Sequence, residues 1–172
     1  EDPYLCGIFA RSEVKGYLDS GISPMLKHYG PHGNPLGGLN LASVDCGVYD
    51  LHAVYLKPFE MVLRHLPVYA VMSTYNSWNR VPNSASRYLL TDILRNRWGF
   101  KGYVYSDWGA IEMLENFHHT AANKAEAATQ ALTAGLDVEA SSECYPELSR
   151  LVKEGKLEEA YIDTARSEER RV

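Results

Sequence analysis

The sequence predicts a parallel α/β fold. Short runs rich in β-branched and aromatic residues, such as 68–75 (VYAVMSTY) and 103–106 (YVYS), alternate with longer stretches of helical periodicity. The strand runs are apolar at consecutive rather than alternate positions, as expected where both faces of a sheet are covered. Four such segments are each followed by a helix, the alternation that parallel strands require. On these grounds an open doubly wound sheet and a section of a closed barrel fit equally.

Taken in order, residues 3–18 read as a helix on which Tyr4, Ile8, Val14 and Leu18 share a broad face. Residues 21–28 (GISPMLKH) read as a short strand, and 29–39, with four glycines and two prolines, as a loop. Residues 48–63 are helical, with Val54, Phe59 and Leu63 as apolar points and a kink at Pro58. Strand 68–75 leads through a loop over 76–83 into a helix over 84–98. Asn83 or Ser84 caps that helix, Leu89, Leu90, Ile93 and Leu94 supply its apolar surface, and Gly99 stops it. After strand 103–106 come an alanine-rich helix (121–134), a short strand (136–139) and two helices (147–154 and 157–166) split by Gly155.

Composition narrows the functional classes. The 172 residues suit one domain, and 45% hydrophobic with 23% charged content suits a globular core. The net charge is −5 and no concentrated basic block is present, which argues against nucleic acid as a partner. Arg166, Arg170 and Arg171 lie among Glu168 and Glu169 and read as a solvated helix end. No apolar run is long enough to span a membrane, and no signal peptide is visible. The chain starts Glu1-Asp2-Pro3 without methionine, which is expected of processing or fragmentation at the front. Cys6, Cys46 and Cys144 are odd in number and form neither a CxxC pair nor zinc spacing, so they read as plain thiols. The glycine-rich run 30–38 lacks the P-loop Lys and Ser/Thr, and its prolines remove amide donors, which argues against a phosphate cradle.

Ligands of parallel α/β folds sit at the C-terminal ends of strands. Those ends read Lys27-His28, then Ser73-Thr74-Tyr75-Asn76, then Ser106-Asp107-Trp108, then Asp137 and Glu139. Four polar clusters in one register point to a shared site. A carboxylate with Lys, His and Asn suits sugar hydroxyls, while Trp108, Trp78 and Tyr75 suit the apolar face of a sugar ring. Asp107 is then the candidate nucleophile, kept charged by a nearby Lys27, and Glu139 the in-register candidate for the proton donor. A metal on Asp107, His28 and Glu139 is the alternative, although no tight ligand spacing supports it.

Several stretches carry a resemblance: EDPYL at 1–5, LKHYGPHGNPLGGLN at 26–40, YLKPFE at 55–60, VMSTYNSWN at 71–79, LLTDILRNRWGFKGYVYSDWGA at 89–110 and AGLDVE at 134–139. In this order they resemble the N-terminal catalytic barrel of glycoside hydrolase family 3, the β-glucosidase and β-xylosidase group. The resemblance implies parallel (β/α) units forming part of a TIM-type (β/α)8 barrel, incomplete in this chain. It implies a retaining, exo-acting β-glycosidase with Asp107 as nucleophile, Trp108 lining the sugar subsite, Lys27 and His28 binding hydroxyls, and Tyr75 beside the nucleophile. It implies no cofactor and no metal. It places the acid/base in a second domain or on a distant loop, which removes Glu139 from that role. A location outside the cytoplasm, periplasmic or extracellular, follows from the resemblance alone.

A complete barrel of this type needs roughly 250 residues. Residues 1–172 are therefore expected to form a partial barrel domain of about four strand–helix units, the early strands and second domain being absent. Its partners are then a β-glycoside or oligosaccharide together with the missing half and second domain, or a self-associated copy. Little or no activity is expected of the chain alone, and a non-catalytic carbohydrate-binding half barrel is the other reading. Three departures from the family pattern stand out. Arg80 stands where the family usually has glycine, which matters if that turn needs φ > 0. The family tends to carry an Arg within the segment 46–50 and a Glu at the position of Ala53. The ending ARSEERRV departs from the family's apolar helix.

Overall fold

The computed structural model describes residues 2–167. Its central sheet has three parallel strands in the order β1 (Met25–Tyr29), β2 (Ala70–Ser73) and β5 (Tyr103–Tyr105). Met25 stands opposite Ala70, and Ala70 opposite Tyr103. Adjacent parallel strands follow one another in the chain with helices between them, as in a section of a (β/α) barrel. The expected fourth strand is reduced to one parallel bridge between Tyr105 and Val138. Asp137 and Val138 both direct their N–H groups to the Val104 carbonyl, so the chain turns there instead of running extended.

The helices form the outer layer. Asp2 caps α1 (Pro3–Asp19) by accepting the Leu5 N–H, and Pro3 occupies a first-turn position where a missing N–H costs nothing. The expected helix 48–63 is three pieces: α2 (Val48–Asp50), a turn of i→i+5 winding (Leu51–Tyr55) and α3 (Lys57–Leu63). Pro58 therefore opens a new helix at its first turn and does not kink a continuous one. The helix expected over 84–98 spans Tyr88–Arg97, wound largely with i→i+5 bonds. Its cap is Ser86, whose Oγ accepts the Leu89 N–H, and not Asn83 or Ser84. Those two fold into a preceding tight turn, where buried Ser84 meets Ser73 Oγ at 3.0 Å.

Residues expected as loop over 76–83 include a hairpin of β3 (Ser77–Trp78) and β4 (Val81–Pro82). Asn79 (φ 48°) and Arg80 (φ 71°) form its two-residue link, both left-handed, as a mirror-image hairpin turn requires. A short helix that the sequence reading missed, α4 (Met113–Asn116), follows the β5 loop. Asn123 caps α5 (Lys124–Ala134), which starts three residues later than expected and ends at Gly135, φ 107°. Helices α6 (Leu148–Lys153) and α7 (Glu159–Arg166) complete the layer. Arg166 is at the end of α7, while Arg170 and Arg171 lie outside the described residues.

The core lies between sheet and helices. Val71 and Val104 are fully buried against Leu89, Leu90, Ile93, Leu94 and the alanine face of α5. A second small cluster, Val14, Val62 and Val68, joins α1 to α3. One contact fixes the spacing of β2 and β5: a Cβ added at Gly102 would stand 2.1 Å from the Tyr69 carbonyl oxygen, to which the Tyr103 N–H also bonds at 2.9 Å.

Candidate active site

Three strand ends converge. β1 brings Lys27 and His28, joined by a cis peptide. The segment after β2 brings Thr74, Tyr75 and Asn76, and that after β5 brings Asp107 and Trp108. Asp107 is only 9% exposed. Its Oδ1 accepts the Trp108 N–H at 2.7 Å, and its Oδ2 stands 3.3 Å from His28 Nε2. The Tyr75 hydroxyl donates to the Trp108 carbonyl at 2.9 Å and faces the Asp107 carboxylate. Burial first, then the neighbouring Asp107 carboxylate and its charge, push the Tyr75 phenol up to about 12. Burial is also the chief cause holding His28 below the ordinary histidine value, with Lys27 and His32 adding to it and Asp107 opposing.

The remaining expected residues divide. Lys27 is exposed and forms no ion pair with Asp107 among the described residues, so the expected Lys27–Asp107 partnership is replaced by His28–Asp107. Trp108 is 70% exposed, with its indole uncovered. The fourth strand end does not join the cluster. Asp137 pairs with Arg95 and accepts the Val104 N–H. Glu139 receives the Cys144 and Tyr145 N–H groups on its two oxygens, at 2.7 and 3.0 Å. Both carboxylates are engaged in holding the chain's turn. Among the described residues no three His, Cys, Asp or Glu side chains gather as a metal would require. Cys6, Cys46 and Cys144 are free thiols.

Two histidines missed in the sequence support the cluster. His32 Nδ1 lies 2.7 Å from Asn76 Oδ1 and 3.0 Å from Thr74 Oγ1. His118 Nε2 donates to the Tyr75 carbonyl at 2.9 Å, and burial keeps its basicity low. Neither lies at a strand end, and no periodicity marks them. A cavity of about 290 Å³ opens beside Lys27, His28 and His32, backed by Leu26 and Phe59. A larger one, about 670 Å³, lies elsewhere, lined by Arg87, Arg95 and Tyr161, and includes none of the clustered residues.

The chain matches the family model described as the glycosyl hydrolase family 3 N terminal domain over residues 1–172. It is 37% identical over 174 residues to the periplasmic beta-glucosidase of Salmonella typhimurium, covering 96% of this chain and 22% of that protein. It is 33% identical over 172 residues to a putative beta-xylosidase of Formosa agariphila, covering 95% and 23%. Among solved structures, the b-glucosidase EmGH1 of Erythrobacter marinus superposes with a TM-score of 0.92 at 34% identity, over 99% of this chain and 23% of that one. The beta-glucosidase of Listeria innocua in complex with isofagomine gives 0.91 at 31% identity, over 96% and 24%. The chain spans less than a quarter of each of these proteins.

Proposed function

The chain belongs to glycosyl hydrolase family 3, and on that premise we propose that it is the nucleophile-bearing part of a retaining, exo-acting β-glycosidase. The substrate is a terminal β-D-glucosyl residue of an oligosaccharide or glycoside. Residues 1–172 form the latter part of a barrel, about four strand–helix units, completed by earlier strands and a second domain of the whole protein. The observation that carries the reading is the buried Asp107 carboxylate meeting His28, Tyr75 and Trp108 at one end of the parallel sheet.

In this mechanism the Trp108 N–H fixes Oδ1 of Asp107, and Oδ2 attacks the anomeric carbon as the bond to the leaving oxygen breaks. A glycosyl-enzyme ester results, and water hydrolyses it with retention. Lys27 and His28 hold sugar hydroxyls, His28 being kept neutral by burial. Tyr75, its phenol at about 12, stays protonated at neutral pH and supports the carboxylate. Trp108 offers its exposed indole as a stacking wall. The proton for the leaving group comes from a carboxylic acid outside residues 1–172, since Glu139 is committed to two amides. The name of the Salmonella relative supports action in the periplasm or outside the cell. The putative beta-xylosidase among the relatives supports xylosyl specificity as a second reading.

The test uses the full-length protein. A 2-deoxy-2-fluoro-β-glucosyl fluoride is expected to label Asp107 in peptide mapping, and Asp107→Asn to lose labelling and turnover by at least ~10³-fold. Labelling at another carboxylate overturns the assignment. Sugar binding without turnover, unchanged by Asp107→Asn, identifies a non-catalytic carbohydrate-binding barrel instead.

A further inference from the structure

We infer that His32 is a positioning residue for His28, locked in one tautomer by Asn76, and that through His28 it sets the side of Asp107 offered to a sugar. The inference rests on the reading of His28 and Asp107 as site residues. The lock follows from hydrogen-bond valence. Asn76 is fully buried, and its Nδ2 donates to the Asn40 carbonyl at 2.9 Å and the Ala42 carbonyl at 2.7 Å. Carbonyl oxygens only accept, so the amide orientation is fixed and Oδ1 is the acceptor on its other side. That oxygen lies 2.7 Å from His32 Nδ1, which must therefore carry the proton. Thr74 agrees with this assignment. Its Oγ1 gives its single proton to the same Oδ1 at 2.8 Å and accepts from His32 Nδ1 at 3.0 Å.

The locked ring then acts on its neighbour. The centroids of His32 and His28 are 4.8 Å apart, with the rings tilted by 43°. On the far side of His28, Nε2 faces Asp107 Oδ2 at 3.3 Å. A continuous series of contacts thus runs from the backbone at Asn40 and Ala42 through Asn76, His32 and His28 to the carboxylate. His32 also opposes protonation of His28, so it constrains both the orientation and the charge of that ring. With Nδ1 committed, His32 Nε2 carries a bare lone pair when the ring is neutral. The ring borders the same cavity as Lys27 and His28.

The test is long-range ¹H–¹⁵N correlation on the full-length protein with ¹⁵N-labelled histidine. His32 is expected as the Nδ1–H tautomer at pH 7.5. His32→Ala is expected to raise the His28 titration midpoint and shift its Nε2 resonance with the far-UV spectrum unchanged. If that variant does not fold, His32→Asn, which keeps a side-chain N–H donor beside Asn76 Oδ1, decides, with the His28 midpoint raised in the same direction. A His32 proton on Nε2, or a His28 resonance unmoved by whichever variant folds, overturns the inference. These readouts involve no turnover. Loss of Asp107 labelling with the His32 tautomer intact would sink the glycosidase reading alone, and the reverse pattern would sink the His32 role alone.

Discussion

Arg80 holds a backbone conformation that an L side chain rarely adopts, φ 71°, directly after Asn79 at φ 48°. Left-handed geometry at a residue with a Cβ costs about 1 kcal/mol relative to glycine. The side chain recovers little, because its guanidinium is 3.5 Å from Asp45 and 74% exposed. Arg80→Gly is expected to raise the unfolding free energy by about 0.5–1 kcal/mol in urea, the gain trimmed by the freer unfolded chain. A second residue-scale expectation concerns pH. The pKa values of His28, His52 and His118 all lie below the ordinary histidine value of 6.5 in the fold, each chiefly through burial. The unfolded chain then binds protons more tightly. Their contribution is intact above pH 6.5 and is lost as pH falls from there through the folded values. Tyr75 acts in the other direction: its phenol rises from 10.0 to about 12, so stability declines as pH climbs through that interval. Melting temperatures are expected to be lower at pH 5.5 than at 7.5, and His118→Gln is expected to flatten that difference.

Among the elements, the β2–β5 pair is the most tightly constrained. Gly102→Ala would drive a methyl to 2.1 Å from the Tyr69 carbonyl, a backbone atom that cannot swing away. A loss of about 2–3 kcal/mol is expected on chemical denaturation, at the upper end of overpacking costs. Strands β2 and β5 were legible in sequence because they are continuous apolar runs, and α1 because Tyr4, Ile8, Val14 and Leu18 recur at helical spacing. The β3–β4 hairpin was not legible as strand, since Asn-Arg replaces the glycine that signals a mirror-image turn. The cap of the Tyr88–Arg97 helix was misplaced because Asn83 and Ser84 are buried in an earlier turn, where Ser84 meets Ser73 of β2 rather than the helix start. Strand 136–139 failed for a similar reason: Asp137 and Glu139 hold Arg95 and two amides, contacts that no local pattern announces.

At the scale of the molecule, Asp107, His28, Tyr75 and Trp108 were readable because strand ends in a parallel sheet share one face, whereas the His32–Asn76 bond joins residues 44 apart in sequence. The assembled cluster has a nucleophile candidate but no free second carboxylate at the fourth strand end. Its sheet edge at β1 pairs only with β2 among the described residues, and α1 exposes Tyr4 and Phe9 beyond 60%. The 172-residue chain alone is therefore expected to release no aglycone from an aryl β-glucoside above background, and an enzyme-like rate from the purified chain would refute this. The unequal covering of the three tryptophans has a practical consequence. Trp98 is 7% exposed, and Trp78 is stacked on Tyr88 with its indole N–H bonded to the Cys46 carbonyl. Trp108, at 70%, stands beside the Asp107 carboxylate. Red-edge emission and iodide quenching thus belong mainly to the indole next to that carboxylate, so the chain carries its own optical reporter of whatever settles there.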